Sequence, residues 1–241
     1  MPAIEPSVPH QCRIYAVGDI HGRDDLLVEV RRLIVEDAGT ADGCERVVVY
    51  LGDYIDRGPN SFEVIERLIH EPLPGFRQVF LKGNHEDLML AFLAGPPDPV
   101  WLYNGGVATL ESYGVRLDWF LPDERALEAA RQELQQAVPP PHRQFLESLS
   151  VRHEEGDYVF VHAGVRPGVP LAHQEKRDMM WIRGPFLTSK ADFGKRVVHG
   201  HTIVPEPEVR HNRIGIDTGA VRSGRLTCLV LQGASVRFLQ T

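Results

Sequence analysis

The chain has 241 residues, 43% of them hydrophobic, and a formal net charge of −7. That length buries roughly 70% of the unfolded surface and supports one large core, whereas the acidic balance provides no basic field for a nucleic-acid backbone or an anionic bilayer. Cys12, Cys44 and Cys228 show no CxxC spacing and cannot all pair with one another, which fits reduced thiols in a cytoplasmic protein.

Residues 1–12 read as an N-terminal tail whose three prolines and lack of an apolar stretch match neither a signal peptide nor an anchor. No later segment reaches about 18 continuous apolar residues, so no membrane span is expected. Residues 13–17 predict a short strand ending in Gly18-Asp19-Ile20-His21-Gly22, after which Leu26, Leu27, Val30, Leu33 and Ile34 recur at helical spacing. Residues 47–51 predict a β-branched strand running into Gly52-Asp53-Tyr54-Ile55-Asp56-Arg57-Gly58. Gly58-Pro59 stops that loop, and Ser61 reads as the N-cap of a helix carrying Phe62, Ile65, Leu68 and Ile69. Residues 79–81 end a third strand before Gly83-Asn84-His85-Glu86, with Leu88, Leu90, Phe92 and Leu93 continuing as a helix. Strand, polar loop and helix three times over predict βαβ construction with a mostly parallel sheet.

Residues 95–155 change character, with helical stretches at 100–113, 124–137 and 142–149 broken by Pro122 and by Pro139-Pro140-Pro141. They read as a helical insertion packed over one side of the sheet. Residues 158–161 form a strand ending in His162-Ala163-Gly164, and residues 196–198 one ending in His199-Gly200-His201-Thr202. Residues 214–216, 226–231 and 236–239 close the fold, with turns at Gly219, Ser223-Gly224 and Gly233. Residues 13–241 are taken as one domain that includes the insertion.

Ligands of open α/β sheets bind beyond the carboxyl ends of strands, and Asp19, His21, Asp53, Asn84, His162 and His201 all fall there. Carboxylate, imidazole and amide oxygen form a mixed set suited to Mn²⁺, Fe²⁺, Zn²⁺ or Co²⁺, and less typical of Mg²⁺. Two cations about 3.5–4 Å apart need an anion between them, a role open to Asp53. A bridging hydroxide poised to attack phosphorus is the expected result.

The blocks GDIHGR at 18–23, GDYIDRGP at 52–59, GNHE at 83–86, HAG at 162–164 and HGHT at 199–202 resemble, in order and spacing, the metal-dependent phosphoprotein phosphatase family of the calcineurin-like phosphoesterases. The resemblance implies an α/β fold, a β-sandwich flanked by helices, and hydrolysis of phosphomonoesters without a covalent enzyme intermediate. It implies one ion on Asp19, His21 and Asp53 and a second on Asp53, Asn84, His162 and His201, with Mn²⁺ as the first choice. His85 is then the general acid that protonates the departing alkoxide, Asp56 orients its ring, and Arg57, Asn84 and Arg183 bind the phosphoryl group.

Some neighbouring residues have simpler readings. His199 reads as a packing or supporting histidine, and Glu86 as an acid that meets free amides at a helix start. GNHE and Asp56 favour a protein serine/threonine phosphatase, acting on phosphorylated proteins or peptides and on small phosphate esters in vitro. Symmetrical hydrolysis of diadenosine tetraphosphate is the alternative, and a non-enzymatic metal-bound scaffold is a third. No nucleic-acid or membrane partner is expected, and the oligomeric state is left open.

Overall fold

A computed structural model describes residues 5–39, 43–117 and 123–241. The first four residues of the tail, and Pro122 within the insertion, lie outside the described residues. β1 (Cys12–Val17) pairs in parallel with β2 (Glu45–Tyr50), and β2 pairs in parallel with β3 (Arg77–Phe80). On the far side of β1 lie antiparallel β9 (Thr227–Gln232) and β10 (Ser235–Gln240), so this sheet runs β10-β9-β1-β2-β3.

The second sheet is built from β4 (Arg152–Glu155), β5 (Tyr158–Val161), β6 (Arg196–His199), β7 (Glu208–Val209) and β8 (Arg213–Gly215). Its order is β4-β5-β6-β8-β7, parallel at the centre and antiparallel at both edges. The mostly parallel sheet expected from the sequence is thereby corrected to two mixed sheets. Tight turns at Gly156 and Gly233 fold β4 onto β5 and β9 onto β10, and strands joined by so short a turn can only run antiparallel. β4 has the charged sequence Arg152-His153-Glu154-Glu155 of an edge strand, which hides it from an apolar-run reading.

Period-two alternation explains why the central strands are apolar on both faces. Ile14, Ala16, Val47 and Val49 meet Tyr158, Phe160, Val198 and Ile214 in the interior between the sheets. Tyr15, Val17, Val48 and Tyr50 face the opposite way, toward α1 (Asp24–Ala38), α2 (Ser61–His70) and α3 (Asn84–Ala94). The outer face of the second sheet, at Val159, Val161 and Val197, is covered by Met179 of α7 (Lys176–Trp181) and Phe186 of α8 (Gly184–Leu187). The result is the helix-flanked β-sandwich that the motifs imply.

The insertion extends the helical layer through α4 (Val107–Ser112), α5 (Glu124–Ala137) and α6 (Pro140–Ser148), whose Leu110, Leu127, Leu134 and Leu146 join the core shared with α2 and α3. α5 has the bounds its spacing predicts, and Asp123 caps it by accepting from the Ala126 amide at 2.7 Å. The stretch 100–113 is not one regular helix, because the chain kinks at Gly105 within Leu102–Gly106, just before α4. Ser61 is also corrected: Asn60 holds the N-cap position of α2, and the Ser61 hydroxyl instead accepts from the Asp56 amide at 3.0 Å. Among the described residues no helix is long and apolar enough to cross a membrane, and all three cysteines are free.

Leu134 is fully buried where α5 meets the common core. Leu134→Ala should therefore cost about 2–5 kcal/mol, read as a lower urea midpoint with an unchanged slope. A midpoint equal to wild type would show that the insertion is not part of the cooperative core.

Candidate metal centre and active site

Loops at the carboxyl ends of β1, β2 and β3 in one sheet, and of β5 and β6 in the other, converge on one buried spot. The Asp53 carbonyl accepts from the amides of Ile20 at 3.1 Å and His21 at 2.8 Å, tying the first two loops together. Glu86 ties in the third: its fully buried carboxylate accepts from the amides of Gly83 at 2.8 Å, Asp53 at 3.0 Å and Tyr54 at 2.8 Å. The bond to the Gly83 amide is the role its position at a helix start predicts, whereas the amides of Asp53 and Tyr54 belong to the loop after β2. Burial, with Asp53 beside it, pushes the Glu86 carboxyl up to about 7. A Cβ at Gly83 would lie 2.0 Å from Asp53 Oδ1, so no other residue fits in that loop.

The backbone at the centre is strained. Among the described residues, the non-glycine residues in the left-handed region are Gln11 and five from these loops: His21, Asp53, Asp56, Arg57 and His201. Each such residue costs on the order of 1 kcal/mol or more and persists only where its surroundings enforce it.

Asp53 Oδ2 lies 3.5 Å from His21 Nε2, 3.7 Å from His85 Nε2 and 3.3 Å from His162 Nε2. His162 Nε2 is in turn 3.1 Å from both Asn84 Oδ1 and His201 Nδ1. The Nδ1 atoms of His21 and His162 meet the carbonyls of Ile55 at 2.8 Å and Leu51 at 3.0 Å, so each donates there and leaves its Nε2 lone pair aimed inward. Two triads of potential ligand atoms result, His21/Asp53/His85 and Asp53/His162/His201, sharing Asp53. Asp19, expected beside His21, falls in neither triad. Its Oδ2 accepts from the His201 amide at 2.9 Å, while Oδ1 is buried without a partner.

Burial pushes the Asp53 carboxyl up, but His162, His85 and His21 outweigh it and hold the group well below the usual carboxylate range. His162 goes the other way, to about 9, because Asp53 and Asp19 overcome its burial. Burial drives His21 down to about 3, and burial with the neighbouring His162 also depresses His201. Burial and Asp217 raise Asp19 well above its ordinary value.

A metal pair fits these residues. Asp19 Oδ1 and His201 Nε2 are buried without partners, and the carboxylate, imidazole and amide donors form the mixed set that suits divalent ions. The paired triads make this a binuclear metal site, and holding an ion at His162 would displace a proton from it.

His85 Nδ1 lies 2.6 Å from Asp56 Oδ2, bringing together the pair expected from the motifs. Arg57 reaches His21 Nε2 at 2.8 Å and His85 Nε2 at 3.0 Å. Arg183 is exposed at the rim and donates to the His201 carbonyl at 3.2 Å and the Thr202 hydroxyl at 3.3 Å. His199 stays out of the cluster: its ring packs on Phe186 with centroids 5.0 Å apart, and Nδ1 donates to the Gly200 carbonyl at 3.1 Å. Sequence reasoning missed Asp217, a buried acid whose Oδ1 accepts from the Gly219 amide at 2.8 Å. The signal was there, since Ile216-Asp217-Thr218-Gly219 repeats the pattern of an apolar strand end followed by Asp and Gly. Beside the cluster opens a cleft of about 440 Å³, with His21, Arg57 and Asp217 against the centre and Tyr103, Ile203 and Arg222 toward solvent.

Asp53→Asn removes the one anion common to both triads. Metal affinity should fall by more than the about 10–100-fold that losing a supporting hydrogen bond behind a ligand costs, with fewer than two ions per chain by elemental analysis. Two tightly held ions in that variant would refute shared ligation.

Residues 12–213 match the family model for calcineurin-like phosphoesterase. The bis(5'-nucleosyl)-tetraphosphatase PrpE [asymmetrical] of Bacillus velezensis is 27% identical over 228 residues, covering 88% of this chain and 86% of the relative. Serine/threonine-protein phosphatase 1 of Salmonella typhimurium is 30% identical over 227 residues, covering 91% and 92%. Among solved structures, a putative diadenosine tetraphosphatase shares the fold with a TM-score of 0.65 at 21% identity, covering 98% of each chain. Since the matched span contains every clustered ligand, the chain belongs to the calcineurin-like phosphoesterase family.

Proposed function

We propose that this phosphoesterase hydrolyses dinucleoside tetraphosphates asymmetrically, releasing a nucleoside triphosphate and a nucleoside monophosphate. The observation that carries this choice of substrate is the cleft beside the metal cluster. Tyr103 is 64% exposed and Ile203 48% exposed on its walls, and an aromatic ring held open beside a charged centre is a stacking surface for a nucleobase. Arg222 on the same wall suits a polyphosphate chain. The PrpE relatives, described as asymmetrical bis(5'-nucleosyl)-tetraphosphatases, support the same reading.

In this reading Asp19, His21 and Asp53 hold one ion, and Asp53, Asn84, His162 and His201 the other. When bound, two divalent ions supply charge neutralisation for the phosphoryl oxygens and a water activated near neutral pH. Arg57 and Arg183 clamp the phosphoryl group from opposite motifs. His85 donates a proton from Nε2 to the departing oxygen. Burial disfavours its charged form, but Asp53 and Asp56 outweigh that and raise its pKa. In the structure the Arg57 guanidinium donates to the His85 Nε2 lone pair at 3.0 Å; protonation of that nitrogen breaks the contact and leaves both groups free to donate to an anionic phosphoryl oxygen.

A second reading, a protein serine/threonine phosphatase, is favoured by the complete His85–Asp56 pair. A serine alkoxide is a far poorer leaving group than a nucleotide phosphate and depends more on a proton donor. The identity with the Salmonella phosphatase supports it too.

Kinetics with Mn²⁺ on diadenosine tetraphosphate and on a phosphoserine peptide, side by side, decide between the two. The dinucleotide should have the higher kcat/KM, with ATP and AMP as products by chromatography. A reversal of more than about 10-fold in favour of the peptide would establish the second reading, and ADP as sole product would overturn the asymmetry. Tyr103→Ala should lower kcat/KM for the dinucleotide by the about 1–3 kcal/mol that base stacking contributes and spare p-nitrophenyl phosphate. Equal losses on both substrates would remove the base from the cleft.

A further inference from the structure

Asp56 is fully buried, and its carboxylate is saturated with donors. Oδ2 accepts from His85 Nδ1 at 2.6 Å and from Trp101 Nε1 at 2.9 Å, while Oδ1 accepts from the Thr109 hydroxyl at 2.6 Å. Since the single Thr109 proton goes to that carboxylate, its lone pairs take the Asp56 amide at 2.9 Å and the Ser61 hydroxyl at 3.0 Å. Every polar group around Asp56 is thus matched, and the plane of its carboxylate is fixed from two sides.

Both donors come from the helical insertion, eight residues apart. In a regular α-helix such residues are separated by about 12 Å along the axis, too far for both to reach one carboxylate. They meet because the chain kinks between them at Gly105, whose φ of 107° is non-helical. The Gly105 carbonyl also accepts from the Arg57 amide at 3.1 Å, bracing the left-handed pair Asp56 and Arg57 from the same turn.

We infer that Trp101 and Thr109 are positioning residues for proton donation: acting through Asp56, they set the direction in which His85 points. The inference rests on the reading of His85 as proton donor. It assigns the insertion a part in the chemistry, beyond covering the sheet.

The test compares phenyl phosphate, a poor leaving group, with p-nitrophenyl phosphate, a good one, in metal-loaded protein of measured metal content. Thr109→Val removes the hydroxyl at nearly constant volume. Trp101→Phe removes the indole N–H while keeping a ring beside Phe92, 5.1 Å away between centroids. Both variants should lose about 10-fold or more in kcat on phenyl phosphate and several-fold less on p-nitrophenyl phosphate. KM and the two-ion content should hold, and Thr109→Ser should recover most of the rate. Equal loss on the two esters, or loss through missing metal, would overturn the positioning role. His85→Asn, run in parallel, separates the two levels. If its own loss ignores the leaving group, the proton-donor reading fails; if His85→Asn discriminates and the two variants do not, only the positioning inference fails.

Discussion

Asp53 uses every atom that can bond. Its carbonyl holds the loop after β1, its amide is held by Glu86 at the start of α3, and its carboxylate sits among three imidazoles. A buried carboxylate is tolerated only when its charge is matched, and here the matching groups come from both sheets. Asp19 and His21 belong to a loop of the first sheet, Asn84 and His85 open the helix that follows its strand β3, and His162 and His201 belong to loops of the second. Ions held by these residues would tie the two sheets together, and by mass action would favour the folded chain over the unfolded one.

The same demand explains why the centre breaks local rules that the rest of the chain obeys. Left-handed backbone at His21, Asp53, Asp56, Arg57 and His201 would be corrected by any sequence selected for stability alone. The amides that these turns release are taken up by Glu86, Ser61 and Thr109. The strain is confined to the residues whose side chains converge, and the strands behind them keep ordinary geometry and fully apolar contacts.

Much of this was legible in the sequence because it is encoded locally. An apolar run followed by Gly-Asp or Gly-Asn places both a strand and the side chain at its end, so the strand-end ligands could be named by position, while the His85–Asp56 pair was named through the family resemblance. What escaped depends on contacts distant in sequence. Trp101 and Thr109 reach Asp56 across 45 and 53 residues, and nothing in their own neighbourhood marks them. Ser61 looked like a cap because hydroxyls usually are at helix starts, but the Asp56 amide competed for it. GNHE, read as favouring a phosphoprotein substrate, gains no support from the contacts of Glu86, which are to the backbone amides of Gly83, Asp53, Tyr54 and Ile55.

The kinked turn at Leu102–Gly106 has two faces. Inward its Gly105 carbonyl holds the Arg57 amide, and the Trp101 indole just before it holds Asp56; outward it presents Tyr103 and Asn104 to the cleft. Its length is therefore not free to drift, since adding or deleting one residue would shift the indole and the cleft wall together. In this chain, a change to that wall that keeps both inward bonds is one that exchanges the side chains of Tyr103 or Asn104 while the residue count stays fixed.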